Sequence, residues 1–293
     1  MKIVNSLCFF FLLFISFSCH NREQIVDQRT LSNYDFRLFQ ETPAWELAKA
    51  VEDEDESRIR EILSKNHSLV NYQSPKYGVT VLHLAVSHHN VKSVKCLLSL
   101  NADVNIRDKE NGDTPINNAC FASYAGDAGI KILKMLIENG ANINVVEVSD
   151  SSQMPCSPLM SACYDGFKEG VAMLISKGAD VNYKRNNEDT ALSESLLLGH
   201  YEIAYYLLLH GANYTTPIMY KRDYSNQGKG RIVRRIYIKE ALEEKHITYS
   251  TPERAYYYKI VDFLKKKGII INESGKRKFD FFTLYNELKE LRE

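Results

Sequence analysis

Two short motifs recur in fixed order four times along this chain, and no other feature restricts its fold as much. Aligned on the residue before "VLHLA", the equivalent positions are Thr80, Thr114 in "TPINNA", Ser157 in "SPLMSA" and Thr190 in "TALSES", 34, 43 and 33 residues apart. A second motif follows each: "LLSLNADVN" from Leu97, "LIENGANIN" from Leu136, "LISKGADVN" from Leu174 and "LLLHGANYT" from Leu207. In the first copy Leu82, Ala85 and Val86 fall on one helical face. Asn90 stands where the next helix needs an N-cap, and Val91, Val94, Leu97 and Leu98 form a second stripe. Asn101 takes the place of Gly140, Gly178 and Gly211, a position that suits a left-handed helix C-cap. Neither stripe can make a core alone, so each copy must bury its apolar faces by stacking on the next.

A period near 33 with a T-P-L-H-x-A opening and a G-A-D-V-N tail resembles the ankyrin repeat family. The resemblance covers residues 78–213 well and degenerates toward both ends. It implies an all-α ankyrin repeat solenoid: helix–turn–helix units joined by β-turn fingers, about four clear repeats between two cap units. The expected domain is 42–272. "PAWELAKAVEDEDESRIREILSKNHSLVN" reads as the N-terminal cap, with the acids Asp53 to Glu56 opening its second helix. "RIYIKEALEEK" and "PERAYYYKIVDFLKKKGIIIN" read as a closing pair, and 273–293 as a C-terminal helix. The long second step adds about five residues between helices around "ASYAGDAG" and about four in the finger "VVEVSDSSQMPCS". Insertions in such arrays go to loops and often serve binding.

The chain opens on "MKIVNSLCFFFLLFISFSC". Its apolar run from Leu7 to Phe17 is short for a membrane span and reads as a secretory signal. "SFSC" resembles a relaxed bacterial lipobox, which would make Cys19 the lipidated first residue of the mature protein. An ordinary signal peptide with an incidental cysteine, or an uncleaved anchor, are the other readings. Residues 1–18 are thus expected to be a lipoprotein signal peptide and 19–41 a lipid-anchored tether. "HNREQ" after Cys19 has no aspartate directly following the cysteine and no acidic run, which favours periplasm-facing attachment to the outer membrane.

With 37 basic and 37 acidic residues, nothing in the charge balance suggests nucleic acid. Of six cysteines, Cys8 would leave with the signal and Cys19 would be acylated. Cys120 and Cys163 hold the same helix position in consecutive copies. The resemblance implies a stacking distance beyond the ~7 Å Cα limit of a disulfide. Cys96, Cys120, Cys156 and Cys163 are expected as thiols, with a bridge of Cys156, the one on a finger, as the alternative.

No nucleophile elbow, zinc-protease motif or phosphate loop is present. His88 and His89 are neighbours that point ~100° apart on a helix, so no metal and no cofactor is expected. The resemblance makes His83 structural; the other copies carry Asn117, Met160 and Ser193 there. The basic stretch from Lys221 to Lys239 reads as a solvated loop, with anionic headgroups or an acidic partner as the alternative.

What remains is the surface that the resemblance assigns to binding: finger tips and one face of each first helix. Here these are Tyr77, Val79 and His88; Asn111, Asp113 and Phe121; Met154, Tyr164 and Asp165; and Asn187, Asp189, Leu197 and Leu198. Aromatics among polar residues suit an interface, although Phe121, Leu197 and Leu198 read equally well as packing against the inserted loops. The expectation is a monomeric, non-enzymatic, membrane-anchored module of the bacterial envelope that binds another protein, in an immunity or inhibitor role. The alternative is an accessory protein or cryptic enzyme with its site in the C-terminal region.

Overall fold

The computed structural model describes residue 22 and residues 24–32, 34–121, 125–146, 156–185, 188–217, 219–223, 231–244 and 251–271. The signal-like stretch, Cys19, the finger residues 147–155 and the expected helix over 273–293 lie outside the described residues. The chain divides into two compact units, Met1–Lys109 and Glu110–Glu293.

The first unit holds helices α1 (Trp45–Glu52), α2 (Glu56–Lys65), α3 (Val81–Ser87) and α4 (Val91–Ser99). The two kinds of helix bury themselves differently. All six residues from Val81 to Val86 of α3 are buried, as befits a helix enclosed on every side. On α4, Val94, Leu97 and Leu98 are buried while Lys92, Lys95 and Ser99 are exposed. First helices stack on first helices and second on second, α1 against α3 and α2 against α4. Asp55 caps α2 by accepting from the Arg58 N–H at 2.9 Å.

Two hydrogen-bond devices explain the motif letters. The Thr80 N–H donates to His83 Nδ1 (3.2 Å) and the His83 N–H returns to Thr80 Oγ1 (3.4 Å). This reciprocal box satisfies two orphan donors of the helix start. Other short acceptors do the same in two more copies: the Thr114 N–H donates to Asn117 Oδ1 at 3.1 Å and the Thr190 N–H to Ser193 Oγ at 2.7 Å, while at Ser157 only the Met160 N–H donates to the cap hydroxyl, at 3.4 Å. The second device uses the closing Asn of each tail. Asn71 accepts from the Asp103 N–H at 2.9 Å, so the cap unit is tied to the first clear repeat. Asn90 departs from expectation: its side chain makes no cap bond and its Nδ2 donates to the Val51 carbonyl at 3.2 Å, stitching neighbouring repeats.

Much of the expected tether is packed. Residues Gln28–Thr30 and Phe36–Phe39 form 3-10 turns, Leu31, Leu38 and Phe39 are buried, and Phe36 stacks on Trp45 with centroids 5.5 Å apart. Burying two or three large apolar side chains is worth several kcal/mol, which a free linker would forgo.

The second unit holds α5 (Pro115–Ala119), α6 (Asp127–Glu138), α7 (Pro158–Asp165), α8 (Lys168–Ser176), α9 (Ala191–Leu198) and α10 (Tyr201–Leu209), then strands β1 (Met219–Asp223) and β2 (Arg231–Ile236), and helices α11 (Ile238–Glu244) and α12 (Thr251–Lys266). Here α5 packs on α7, α7 on α9, α6 on α8 and α8 on α10. The Asn device repeats: Asn144 accepts from the Asp180 N–H (2.8 Å) and donates to the Gly178 carbonyl (3.2 Å), and Asn182 does the same with Asn213 (2.8 Å) and Gly211 (3.1 Å). The expected C-caps form, with φ of 86°, 91° and 90° at Gly140, Gly178 and Gly211 in this unit.

The basic stretch is a correction. In place of a loop, β1 and β2 pair antiparallel, Met219 opposite Ile236 and Asp223 opposite Arg231, with an irregularity between Lys221 and Arg222. The closing helix α12 docks on α10, where Tyr201 and Tyr257 meet edge to face at 5.8 Å. Glu253 of α12 accepts from the Tyr201 N–H at 2.6 Å. It caps α10 in place of His200, whose side chain makes no such bond; a carboxylate at a helix N-terminus is stabilising.

Candidate partner-binding surface

Within the second unit, Phe121 and Tyr164 occupy equivalent places at the ends of successive first helices, and a third large apolar side chain, Leu198, ends the next first helix one place further on. Phe121 follows α5, Tyr164 is the penultimate residue of α7 and Leu198 ends α9. They are 40%, 54% and 46% exposed. The buried positions are taken by Cys120, Cys163 and Leu196, each six residues after its cap. Phe121 and Leu198 are therefore surface residues, and Leu197 is half-buried. Asp165 and Asp189 are half-buried polar neighbours in the same unit. Asn111 is half-buried, while Asp113 is buried. Asp113 is a correction, since it lies inside the turn that leads to the Thr114 cap. Met154 and Asn187 lie outside the described residues.

The first unit uses its expected contact residues internally. Val79 is fully buried, because the turn that the Ser74 N–H closes on the Val79 carbonyl (2.8 Å) turns it inward; it is a core residue. The Tyr77 hydroxyl donates to the Leu31 carbonyl at 2.9 Å. Lys76 Nζ lies over the Tyr77 ring at 4.2 Å and donates to the Gln28 carbonyl at 2.8 Å. The finger tip thus holds the N-terminal segment. His88 Nδ1 lies 2.6 Å from Glu52 Oε2. That bond holds the imidazole pKa above its usual value, against the cost of burial. The pair borders a cleft of about 490 Å³, whose other charges are also matched, Arg37 with Asp35 at 2.7 Å and Arg22 with Asp53 at 2.5 Å.

One cluster escaped the sequence reading. Arg185 joins Cys156 to Glu194 on α9, at 2.8 Å to the sulfur and 2.6 Å to the carboxylate. The three partners are scattered over 156–194, and only their charges hint at a pairing. Cys96, Cys120, Cys156 and Cys163 are buried and not disulfide-bonded. Among the described residues no group of three or more His, Cys, Asp or Glu is placed to hold a metal ion.

Residues 47–147 and 128–218 match the family model described as ankyrin repeats in three copies. The chain is similar to a putative ankyrin repeat protein of Acanthamoeba polyphaga mimivirus, 32% identical over 108 residues, which is 36% of this chain and 64% of that protein. It is also similar to an ankyrin repeat and KH domain-containing protein of Caenorhabditis briggsae, 31% identical over 151 residues, 44% of this chain and 6% of the relative. Neurogenic locus notch homolog protein 1 of Homo sapiens is 30% identical over 169 residues, 57% of this chain and 6% of that protein. The chain spans less than two thirds of each of these relatives.

Proposed function

Because this chain belongs to the ankyrin repeat family, we propose that it is a binding module for another protein, held at a bacterial envelope membrane by lipid on Cys19 and acting there as an immunity-type inhibitor that covers its partner. The observation that carries the binding reading is the exposed aromatic pair Phe121 and Tyr164, with Leu198 exposed at the end of the next first helix. Large apolar and aromatic side chains that a folded chain leaves in water are the usual anchors of an interface. Asp165 and Asp189 would give that surface a polar rim.

Support for the anchor comes from "FISFSC" and the polar residues after it. Among the described residues no helix is long and apolar enough to cross a membrane. Several acyl chains at ~0.8 kcal/mol per buried CH₂ suffice for attachment. Among the described residues, the first unit is packed from Arg22 on, whose carbonyl accepts from Gln40 Nε2 at 3.0 Å. The intervening chain from Cys19 reaches at most about 11 Å, so the anchor would hold the first unit close to the bilayer. Periplasm-facing attachment to the outer membrane is the orientation that "HNREQ" favours.

The test is capture from native envelopes by the full chain carrying a photo-crosslinker at position 198. A single protein captured in stoichiometric amount, and no longer captured by the Phe121→Ala/Tyr164→Ala variant, is the expected result. Capture that is indifferent to those two side chains would place binding elsewhere. For the anchor, Cys19→Ser should release the protein from the membrane fraction; unchanged processing and membrane retention would refute lipidation.

A further inference from the structure

Cys156 immediately precedes the Ser157 cap of α7, and its sulfur is met by donors from two places. The Ser161 hydroxyl lies 3.5 Å away and Arg185 Nη2 lies 2.8 Å away. Arg185 sits in the finger before α9, which is closed by the Arg185 N–H donating to the Asp189 carbonyl at 3.0 Å and the Glu188 N–H donating to the Arg185 carbonyl at 2.9 Å. That turn aims the guanidinium inward. Its other terminal nitrogen pairs with Glu194 at 2.6 Å, and the two side chains are only 10% and 11% exposed.

A guanidinium has five N–H donors in a fixed fork. Glu194 takes one and Cys156 another, while the buried Nε–H finds no acceptor among the described residues. A neutral thiol is a weak acceptor, and a thiolate is a strong one for a buried cation. Burial opposes the charge on Arg185, but the sulfur and the Glu194 carboxylate outweigh it and hold its pKa above the ordinary value. Burial pushes the Glu194 carboxyl up, against the pull of Arg185. Two thiols of the same unit provide the contrast. Burial drives Cys120 well above the ordinary thiol range and Cys163 up to about 12.

We propose that Cys156 is a peroxide-reactive thiol, held as a thiolate by Arg185 and oxidised by a hydroperoxide to a sulfenate. The sulfur attacks the terminal peroxide oxygen, the S–O bond forms and the O–O bond breaks. With hydrogen peroxide, thiolate and oxidant give sulfenate and water after one proton moves from the new S–OH to the departing hydroxide. The sulfur loses two electrons and the peroxide gains them. The new oxygen supplies an acceptor to the guanidinium Nε–H, which has none among the described residues, so the product is stabilised by the group that activated the reactant. Among the described cysteines only Cys156 has a guanidinium against its sulfur.

The test uses the folded full chain, hydrogen peroxide and dimedone, a trap for sulfenic acid, with labelling read cysteine by cysteine from peptide masses. At pH 7 Cys156 should label at least ten times faster than Cys120 and Cys163 of the same molecules. Arg185→Gln alone strands Glu194 as an unpaired buried carboxyl. The informative variant is therefore Arg185→Gln/Glu194→Gln, which removes both charges, checked for an intact melting transition. It should slow Cys156 at least tenfold and shift its iodoacetamide pH profile toward the ordinary thiol pKa of ~8.5 or above. Equal labelling of the three cysteines overturns the proposal, because it reports opening of the fold. So does a Cys156 rate that the double substitution leaves unchanged.

Discussion

Phe121 and Tyr164 meet edge to face, ring centroids 6.4 Å apart and planes at 72°, although both residues are exposed. Each ring belongs to the end of a different first helix, so stacking of repeats creates a contact that no repeat makes alone. The edge-to-face geometry places the positive ring edge on the negative face and is worth ~0.5–1.5 kcal/mol between aromatic pairs. It also pre-orders two side chains that a partner would otherwise have to fix, at ~0.5–1.5 kcal/mol each.

Tyr164→Ala should weaken partner affinity at least tenfold, since 1.4 kcal/mol is one decade. The unfolding free energy should fall by no more than about 1.5 kcal/mol, the worth of the aromatic pair it loses. Isothermal titration and a denaturant melt on the same preparations measure both. A double-mutant cycle with Phe121→Ala should show the two losses to be non-additive, because each ring positions the other. Loss of fold along with binding would make Tyr164 a structural residue.

Leu136 and Leu174 are fully buried, on α6 and α8, which pack together. Leu174→Ala should cost ~2–5 kcal/mol, the range for large-to-small changes in a core. Leu174→Met, close in volume, should cost less than about 1.5 kcal/mol. In a stacked array stability is a sum of local and nearest-neighbour terms. Amide exchange should therefore quicken first in α6, α8 and α10, with α1–α4 little affected. A urea midpoint unmoved by Leu174→Ala would contradict the stacking.

The repeats were legible in the sequence because their signals are local. Helical stripes, a cap residue and a turn glycine all fall within ~33 residues. The roles of Asn117 and Ser193 follow from the same logic once His83 is seen as an acceptor for the Thr80 N–H. Partners one repeat away were not legible. Nothing in "VNY" or "INV" shows that Asn71 and Asn144 clasp Asp103 and Asp180. Nor does the sequence show that Asn90 bonds to Val51 instead of capping its own helix. The segment from Gln24 to Glu41 has no helical period, since Leu38 and Phe39 are buried from a short 3-10 turn and Leu31 from the residue after another, so its packing was missed. Val79 was misplaced on the surface because a motif assigns the finger tip to residues, while the turn decides which way each side chain faces. Phe121 and Leu198 were open to two readings, and only the observed exposure separates surface from core.

Gly166 ends α7 with φ 76°, and a Cβ added there would lie 2.8 Å from His200 Cε1. Gly178 has φ 91° with no atom within 4 Å of such a Cβ. Both alanine substitutions carry the left-handed cost of ~1–2 kcal/mol, but only the first also displaces the imidazole that precedes α10. Gly166→Ala should therefore destabilise more than Gly178→Ala in matched urea melts. Equal losses would mean that His200 moves aside without cost.

His88 and Glu52 make a pH-dependent clasp within the first unit. The folded imidazole pKa is raised by the hydrogen bond to Glu52, above an unfolded value of ~6.5. Folding is then favoured by proton binding: the contribution is fully present below pH ~6.5 and is lost as pH rises through the folded pKa. Asp35 also faces the imidazole. Burial opposes its charge, but Arg37 outweighs this and keeps its pKa low, so it stays ionised over that window and adds to the attraction. Both clasp partners are partly exposed, at 30% and 26%, which limits the effect to about 0.5–1 kcal/mol. The parent protein should therefore lose that much more stability than His88→Gln between pH 6 and pH 9, read as the difference between their urea midpoints. The difference removes the share of the other histidines. An imidazole signal for His88 that titrates at or below ~6.5 in the folded protein would show that Glu52 does not hold the proton there.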